Sequence, residues 1–386
     1  MGSTGSIGRQ ALDVVADHPG TFELSALAAR RSVALLAQQA NRFRPAVLAV
    51  GSREAAAEIG PLLSYRPEVI GVAEPGLTTA AVESGAAIVL AATDGMAALA
   101  AVSAALDRGL DVALANKELA VAAGEPLFAL ARRSGAAILP VDSEHNAVFQ
   151  CLLGERRADI DSIVLTASGG PFWDRTQAEM ERATVADALR HPTWQMGPKN
   201  TLDSATMMNK GLEVIEASRF FELEGARIKI VVHRQSLVHA FVVLRDGNVK
   251  AQLALPDMRL PIAFALGYPD RIPINRDIGP TLRSLGVDAA QRLTFDAVDL
   301  VRFPAVALAY RALGRGGTFP AVLSAANEQA GRAFLRGKVK FTDIAVLIER
   351  VLDAHDGRAA TLSHILEADR WARSATDDAS TSITKS

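Results

Sequence analysis

Five side chains in two short stretches have the types and spacing to do chemistry. Asp142 and Glu144 lie two apart directly after the apolar run AAILPV. At the end of an extended strand, two such carboxylates can face one cleft and offer hard oxygen ligands to Mg2+ or Mn2+. Asp142 can equally be the N-cap of a helix over 143–153. Asn209, Lys210 and Glu213 are spaced i, i+1 and i+4 on a helix expected over 204–217, capped by Asp203 or Ser204, so they share one side. Ser204 near that helix start, with the Asn209 amide and the Lys210 ammonium, suits a phosphate or oxyanion, and Glu213 could reach a metal. The plain alternative is a solvated Lys210–Glu213 pair on an amphipathic helix whose Leu212 and Ile215 face the core. Ser168-Gly169-Gly170, after the run SIVLTA, is either another anion-binding strand end or a turn.

A glycine loop forms the other chemical stretch. Gly2-Ser3-Thr4-Gly5-Ser6-Ile7-Gly8 opens a helix running through Gln10–Val15. Glycines at that spacing let the backbone approach a pyrophosphate at a helix N-terminus. Where an acidic residue would bind the ribose of NAD, the run FELSALAA ends instead in Arg30-Arg31-Ser32, which favours the 2′-phosphate of NADP. Such a loop should follow a buried central strand, yet only Met1 precedes Gly2. The first strand is therefore expected to be missing, leaving an apolar gap in the sheet.

The elements that must position these residues follow from the hydrophobic pattern. FELSALA, AVLAV, EVIGVA, AAIVLA, DVALAN and AAILPV read as strands, with crossover helices at 32–42, 94–107 and 117–133. That alternation predicts an α/β fold with an N-terminal doubly wound, Rossmann-like parallel sheet over 1–142. A central α+β catalytic region is expected over 143–267, with a hairpin at 236–255 turning on Asp246-Gly247. Residues 268–302 read as a connecting segment, 303–374 as a C-terminal helical bundle, and 375–386 as a disordered tail.

Composition narrows the function classes. At 386 residues the chain predicts more than one domain, and 49% hydrophobic with 5% aromatic residues suits small-residue helix–sheet packing. A net charge of −2 argues against nucleic acid as main partner and leaves room for a basic pocket that takes a phosphorylated small molecule. The one cysteine, Cys151, excludes a disulfide framework or cysteine-rich zinc site and suits a cytoplasmic setting. Neither a leader nor a membrane span is expected, and MGSTGS is read as the glycine loop rather than a myristoylation signal.

Together GSTGSIG, LANKE at 114–118, DSEH at 142–145, SGGPF at 168–172, HPTWQMG at 191–197 and DSATMMNKGLE at 203–213 resemble the 1-deoxy-D-xylulose 5-phosphate reductoisomerase family. HRQSLVHA at 233–240, LPDMR at 255–259, LTFDAVD at 293–299, RFPAVALA at 302–309 and PAVLSAANE at 320–328 extend the resemblance along nearly the whole chain.

The resemblance implies an NADPH- and divalent-metal-dependent enzyme that rearranges a phosphorylated ketose to an aldehyde and reduces it to 2-C-methyl-D-erythritol 4-phosphate, in non-mevalonate isoprenoid synthesis. It implies Asp142, Glu144 and Glu213 as ligands of Mg2+ or Mn2+. Ser168, Ser204, Asn209 and Lys210 would bind the phosphate end, while Ser143 and Lys117 would approach the reacting carbons. His191, Trp194 and Met196 would form a flap that excludes water, with His145 and His239 as further candidates. Thr4, Gly5, Ser6 and Ile7, together with Asn116, Glu118 and Gly197, would contact NADPH, with Arg31 and Ser32 at its 2′-phosphate. A homodimer is expected, since the hairpin offers an edge strand to cover. The chain departs from the family pattern at Arg30, where a small residue is usual, at Arg234, where proline is expected and where only a looser turn is anticipated, and in the missing strand. The alternatives are a truncated form that does not bind cofactor, and a related NADP-dependent oxidoreductase acting on another phosphorylated sugar.

Overall fold

The computed structural model describes residues 1–190, 197–274 and 292–384. It divides into two compact units, the first made of Met1–Leu119, Leu127–Asn146 and Asp257–Asp277, the second of the remainder.

In the first unit, α1 (Ser6–Asp17) is followed by β1 (Ala26–Ala29), α2 (Val33–Phe43), β2 (Val47–Val50), α3 (Arg53–Ile59), β3 (Val69–Val72) and α4 (Ala73–Val82). Then come β4 (Ile88–Ala91), α5 (Leu99–Asp107), β5 (Asp111–Leu114), α6 (Lys117–Ser134), β6 (Ile138–Pro140) and α7 (Ser143–Cys151), with residues 120–126 of α6 and 147–151 of α7 counted in the second unit. All six apolar runs are strands. They form two parallel three-stranded sheets, ordered β1-β2-β3 and β4-β5-β6. Strands such as β2, buried at every position, read as continuous apolar runs because helices cover both faces.

Met1–Ser3 bond to both sheets. The Gly2 and Ser3 N–H groups donate to Ala28 O at 2.9 and 3.0 Å, the Met1 ammonium donates to Leu90 O at 2.7 Å, and Ala92 N–H donates to Met1 O at 3.0 Å. These residues link the two sheets by main-chain hydrogen bonds.

The second unit begins its sheet with β7 (Ile160–Ala167), followed by the short helices α8 (Gln177–Glu181) and α9 (Val185–Ala188) and by α10 (Pro198–Ala205) and α11 (Met208–Phe221). With β8 (Ile228–Val232), β9 (Val238–Leu244), β10 (Val249–Leu253) and β11 (Asp296–Ala297), β7 makes a five-stranded mixed sheet of order β10-β9-β7-β8-β11. The expected hairpin is β9–β10, and Gly247 takes the left-handed conformation (φ +88°) that the Asp-Gly turn requires.

Three expectations are corrected. The helix α12 (Arg259–Gly267), expected in the central region, belongs to the first unit, where it packs against α1 and buries Ile262, Ala263, Phe264 and Ala265. The C-terminal helices α13 (Pro304–Arg315), α14 (Phe319–Leu335), α15 (Asp343–Asp353) and α16 (Leu362–Thr384) are not separate from the catalytic sheet. They share its core, in which Met208 and Leu212 of α11 join Val306 and Ala309 of α13. Nor is the tail unstructured through 384, because α16 continues along it with Ala372, Thr376 and Ser380 buried at four-residue spacing.

Candidate active site

The first unit carries the loop expected to bind the cofactor. Here α1 starts at Ser6 with Gly5 as N-cap, no side-chain cap and no acidic residue in its first turn. A helix start of that kind leaves its N–H groups and dipole to an anion. A Cβ on Gly2 (φ +81°) would lie 2.3 Å from Ala92 O, and one on Gly8 2.3 Å from Gly2 O, so the loop closes only with glycine at both positions. Thr4, Gly5, Ser6 and Ile7 line this turn, while Arg30, Arg31 and Ser32 are exposed at the carboxyl end of β1, beside it in the hydrogen-bonding order. The loop and the basic strand end fit a dinucleotide phosphate cradle.

At the carboxyl end of β5, Asn116 caps α6 by accepting from Leu119 N–H at 3.0 Å. Its amide also donates to Thr93 Oγ at 3.1 Å and Gly95 O at 2.9 Å, fixing the neighbouring strand-end loop. Glu118 beside it is buried. Lys117 Nζ lies 2.6 Å from Asp142 Oδ2, both side chains mostly buried, and the ring of buried His145 approaches the same oxygen at 3.8 Å. Ser143 Oγ donates to Glu144 Oε2 at 2.6 Å. Asn146, which sequence reasoning missed, is 1% exposed and donates to Pro140 O at 2.8 Å and Pro261 O at 3.3 Å, anchoring the start of α7 behind Asp142. A buried amide among motif residues is the signal that could have found it.

The second unit carries the residues expected to bind an anion. The expected single helix over 204–217 is two helices, because Met207 adopts a left-handed conformation (φ +57°) between α10 and α11. Ser204 is therefore in the last turn of α10, and neither it nor Asp203 caps the second helix. Asp203, 4% exposed, accepts from Lys199 Nζ and from Asn327 Nδ2, each at 2.8 Å. Asn327 was also missed, and its partner lies too far away in sequence for spacing to reveal.

On α11, Asn209 Nδ2 donates to Glu213 Oε1 at 2.5 Å and Lys210 Nζ donates to Glu213 Oε2. The Lys210 and Glu213 side chains are only 4% and 0% exposed, so the solvated-pair alternative is excluded. Leu212 and Ile215 are fully buried as expected. Ser168 follows β7, and Gly170 beside it packs on the α10 end so closely that a Cβ would meet Ser204 O at 2.4 Å. The two serines thus stand on touching segments. Gly197 is the N-cap of α10, ahead of Pro198. His239 bonds Ala254 O at 3.2 Å within the hairpin, as a structural histidine would. His191, Trp194 and Met196 lie outside the described residues.

Asp142, Glu144 and Glu213 are an all-oxygen set, the donor chemistry that Mg2+ or Mn2+ requires. Asp142 and Glu213 are largely or wholly withdrawn from water and each is held beside a lysine.

Three sequence profiles match the chain: 1-deoxy-D-xylulose 5-phosphate reductoisomerase over residues 1–124, its C-terminal domain over 138–221, and the DXP reductoisomerase C-terminal domain over 253–375. The 1-deoxy-D-xylulose 5-phosphate reductoisomerase of Geobacter metallireducens is 48% identical, covering 97% of this chain and 96% of the relative. That of Moorella thermoacetica is 49% identical, over 97% and 95%. The solved reductoisomerase of Zymomonas mobilis in complex with NADPH superposes with a TM-score of 0.89 at 38% identity, covering 98% of this chain and 97% of that one. A DOX-P reductoisomerase in complex with NADPH, fosmidomycin and magnesium gives 0.90 at 35% identity, over 98% and 97%. The chain belongs to the 1-deoxy-D-xylulose 5-phosphate reductoisomerase family.

Proposed function

We infer that the chain converts 1-deoxy-D-xylulose 5-phosphate into 2-C-methyl-D-erythritol 4-phosphate, using NADPH and Mg2+ or Mn2+. The observation that carries this is its match, end to end, to a reductoisomerase solved with NADPH and magnesium. The rearrangement changes the carbon skeleton without changing composition. The resulting aldehyde then takes a hydride from NADPH and a proton, and NADP+ leaves.

We assign the roles as follows. Asp142, Glu144 and Glu213 hold the divalent ion, which when bound supplies Lewis acidity toward the substrate's carbonyl and hydroxyl oxygens. Lys210 and Asn209, both anchored on Glu213, present an ammonium and an amide to the phosphate end, with the Ser168 and Ser204 hydroxyls beside them. Lys117 and Ser143 approach the reacting carbons, each oriented by a carboxylate, Asp142 and Glu144 respectively. Thr4 to Ile7 meet the NADPH pyrophosphate, Asn116, Glu118 and Gly197 support its nicotinamide half, and Arg31 and Ser32 take its 2′-phosphate. His191, Trp194 and Met196 close over the substrate and exclude water.

We also propose a cytoplasmic homodimer joined through the β9–β10 hairpin. Supporting this, β10 is an edge strand whose Val249 is 57% exposed. No helix among the described residues is long and apolar enough to cross a membrane. A form that does not bind cofactor is not favoured, since the glycine loop is folded with the α1 N-terminus uncapped by side chains. Another sugar is not favoured either, because the relatives named above carry one activity.

The test is identification of the product by NMR after incubation with substrate, NADPH and Mg2+. The branched tetritol phosphate is expected; an unbranched alcohol would refute the assignment.

A further inference from the structure

Arg234 stands in the second unit just after β8, and its guanidinium reaches back to the strand-end loop that carries Ser168. Its Nη1 donates to Ser168 O at 2.9 Å and to Gly170 O at 3.0 Å, and its Nη2 lies 3.3 Å from Asp174 Oδ2. One terminal nitrogen carries two hydrogens, so both carbonyls are served by a single planar group. Between them Gly169 (φ +81°) and Gly170 (φ +66°) are left-handed, a path that only glycine follows without strain.

The consequence for an anion is electrostatic and geometric. Carbonyl oxygens carry partial negative charge, and two of them next to a phosphate would repel it; here both are turned to a cation. A trans peptide points its N–H opposite its C=O. The Ser168 carbonyl committed to Arg234 therefore aims the Gly169 N–H the other way, on the side left for the anion. Gly170 cannot yield, because it is pressed on the α10 end, where a Cβ would meet Ser204 O at 2.4 Å. Asp174, 80% exposed, adds a screened ion pair of little weight.

We propose that Arg234 is a positioning residue for the substrate phosphate: it fixes the Ser168–Gly170 loop in the anion-accepting conformation and neutralises its carbonyls. This rests on Ser168 binding the phosphate end. The anticipated looser turn at this position is replaced by a clamp.

Steady-state kinetics of R234A, R234K, S168A, D174N and the R234A/S168A double variant test it, with inorganic phosphate as competitive inhibitor. R234A raises KM for substrate and Ki for phosphate by about tenfold while kcat stays within about twofold. R234K, lacking the planar fork, falls between R234A and the parent protein, and secures the comparison should R234A fold poorly. D174N changes neither constant. The double variant is no worse than S168A, since both changes remove one function. If S168A raises KM but R234A and R234K do not, or if the double variant is fully additive, the positioning role is overturned. If S168A itself leaves KM unchanged, the assignment of Ser168 to the phosphate falls, and the proposal with it.

Discussion

Lys210 donates to Glu213 one helical turn away on α11, and neither side chain sees solvent appreciably. A buried ion pair of this kind adds little net stability, but removing one partner strands the other charge in a low-dielectric interior. Its retention on a helix buried along most of its length is best explained by chemistry. Glu213→Gln is expected to cost about 3–5 kcal/mol of unfolding free energy in a urea titration. It should also lower kcat by more than about 100-fold, through loss of a metal ligand. A variant of wild-type activity would remove Glu213 from the metal set.

Asn327 holds Asp203 from α14 at 2.8 Å, with both residues buried. Asn327→Ala leaves a buried carboxylate oxygen short of a donor. The expected loss is about 1–3 kcal/mol, read as an earlier denaturation midpoint with unchanged slope. An unchanged midpoint would show that another donor replaces it.

The glycine loop predicts a graded cofactor defect. Gly8→Ala places a methyl 2.3 Å from Gly2 O and 2.5 Å from Ser3 Cα, whereas Gly5→Ala places one 3.3 Å from Gly2 O. Titration of NADPH fluorescence should show the Gly8 variant weakened by at least about tenfold and the Gly5 variant less affected. The reverse order would mean that the loop does not carry the pyrophosphate.

Stability should depend on pH through His355. Burial pushes its pKa below the ordinary 6.5, opposed by Asp356 and assisted by Arg315. The ring packs against Phe319 and Trp371, and its Nε2 lies 2.7 Å from the hydroxyl of Thr318, which also accepts from Arg358 N–H. A neutral Nε2 accepts that hydroxyl proton; a protonated one cannot. With the folded pKa depressed, the unfolded chain binds the proton first, so stability is full above 6.5, falls as pH drops below it, and levels off beneath the folded value. Thermal unfolding of His355→Gln should lose this slope.

What was legible in the sequence follows from where information is local. The parallel strands are apolar runs whether buried throughout, as β2 is, or only in part, as β3 is, so all six were visible, and the Asp246-Gly247 turn marked the β9–β10 hairpin. The break at Met207 was hidden because no glycine or asparagine marks the left-handed residue. The end of α16 was hidden because its buried side chains, Thr376 and Ser380 among them, are small and polar and resemble a disordered tail in composition. Arg234 and Asn327 act on partners far away in sequence, 66 residues back to Ser168 and 124 to Asp203, where periodicity carries no signal. The chemistry-bearing motifs were legible as a set, while the Lys117–Asp142 pairing, across 25 positions, became visible only in three dimensions.

The central claim is reduction of a rearranged ketose phosphate by NADPH, and the most direct measurement is the loss of nicotinamide absorbance on adding 1-deoxy-D-xylulose 5-phosphate to the purified protein with NADPH. Oxidation that requires Mg2+ or Mn2+, stops on chelation and is lost in Glu213→Gln is the predicted result. A protein that binds NADPH and metal yet leaves the cofactor unoxidised with this substrate would contradict the account.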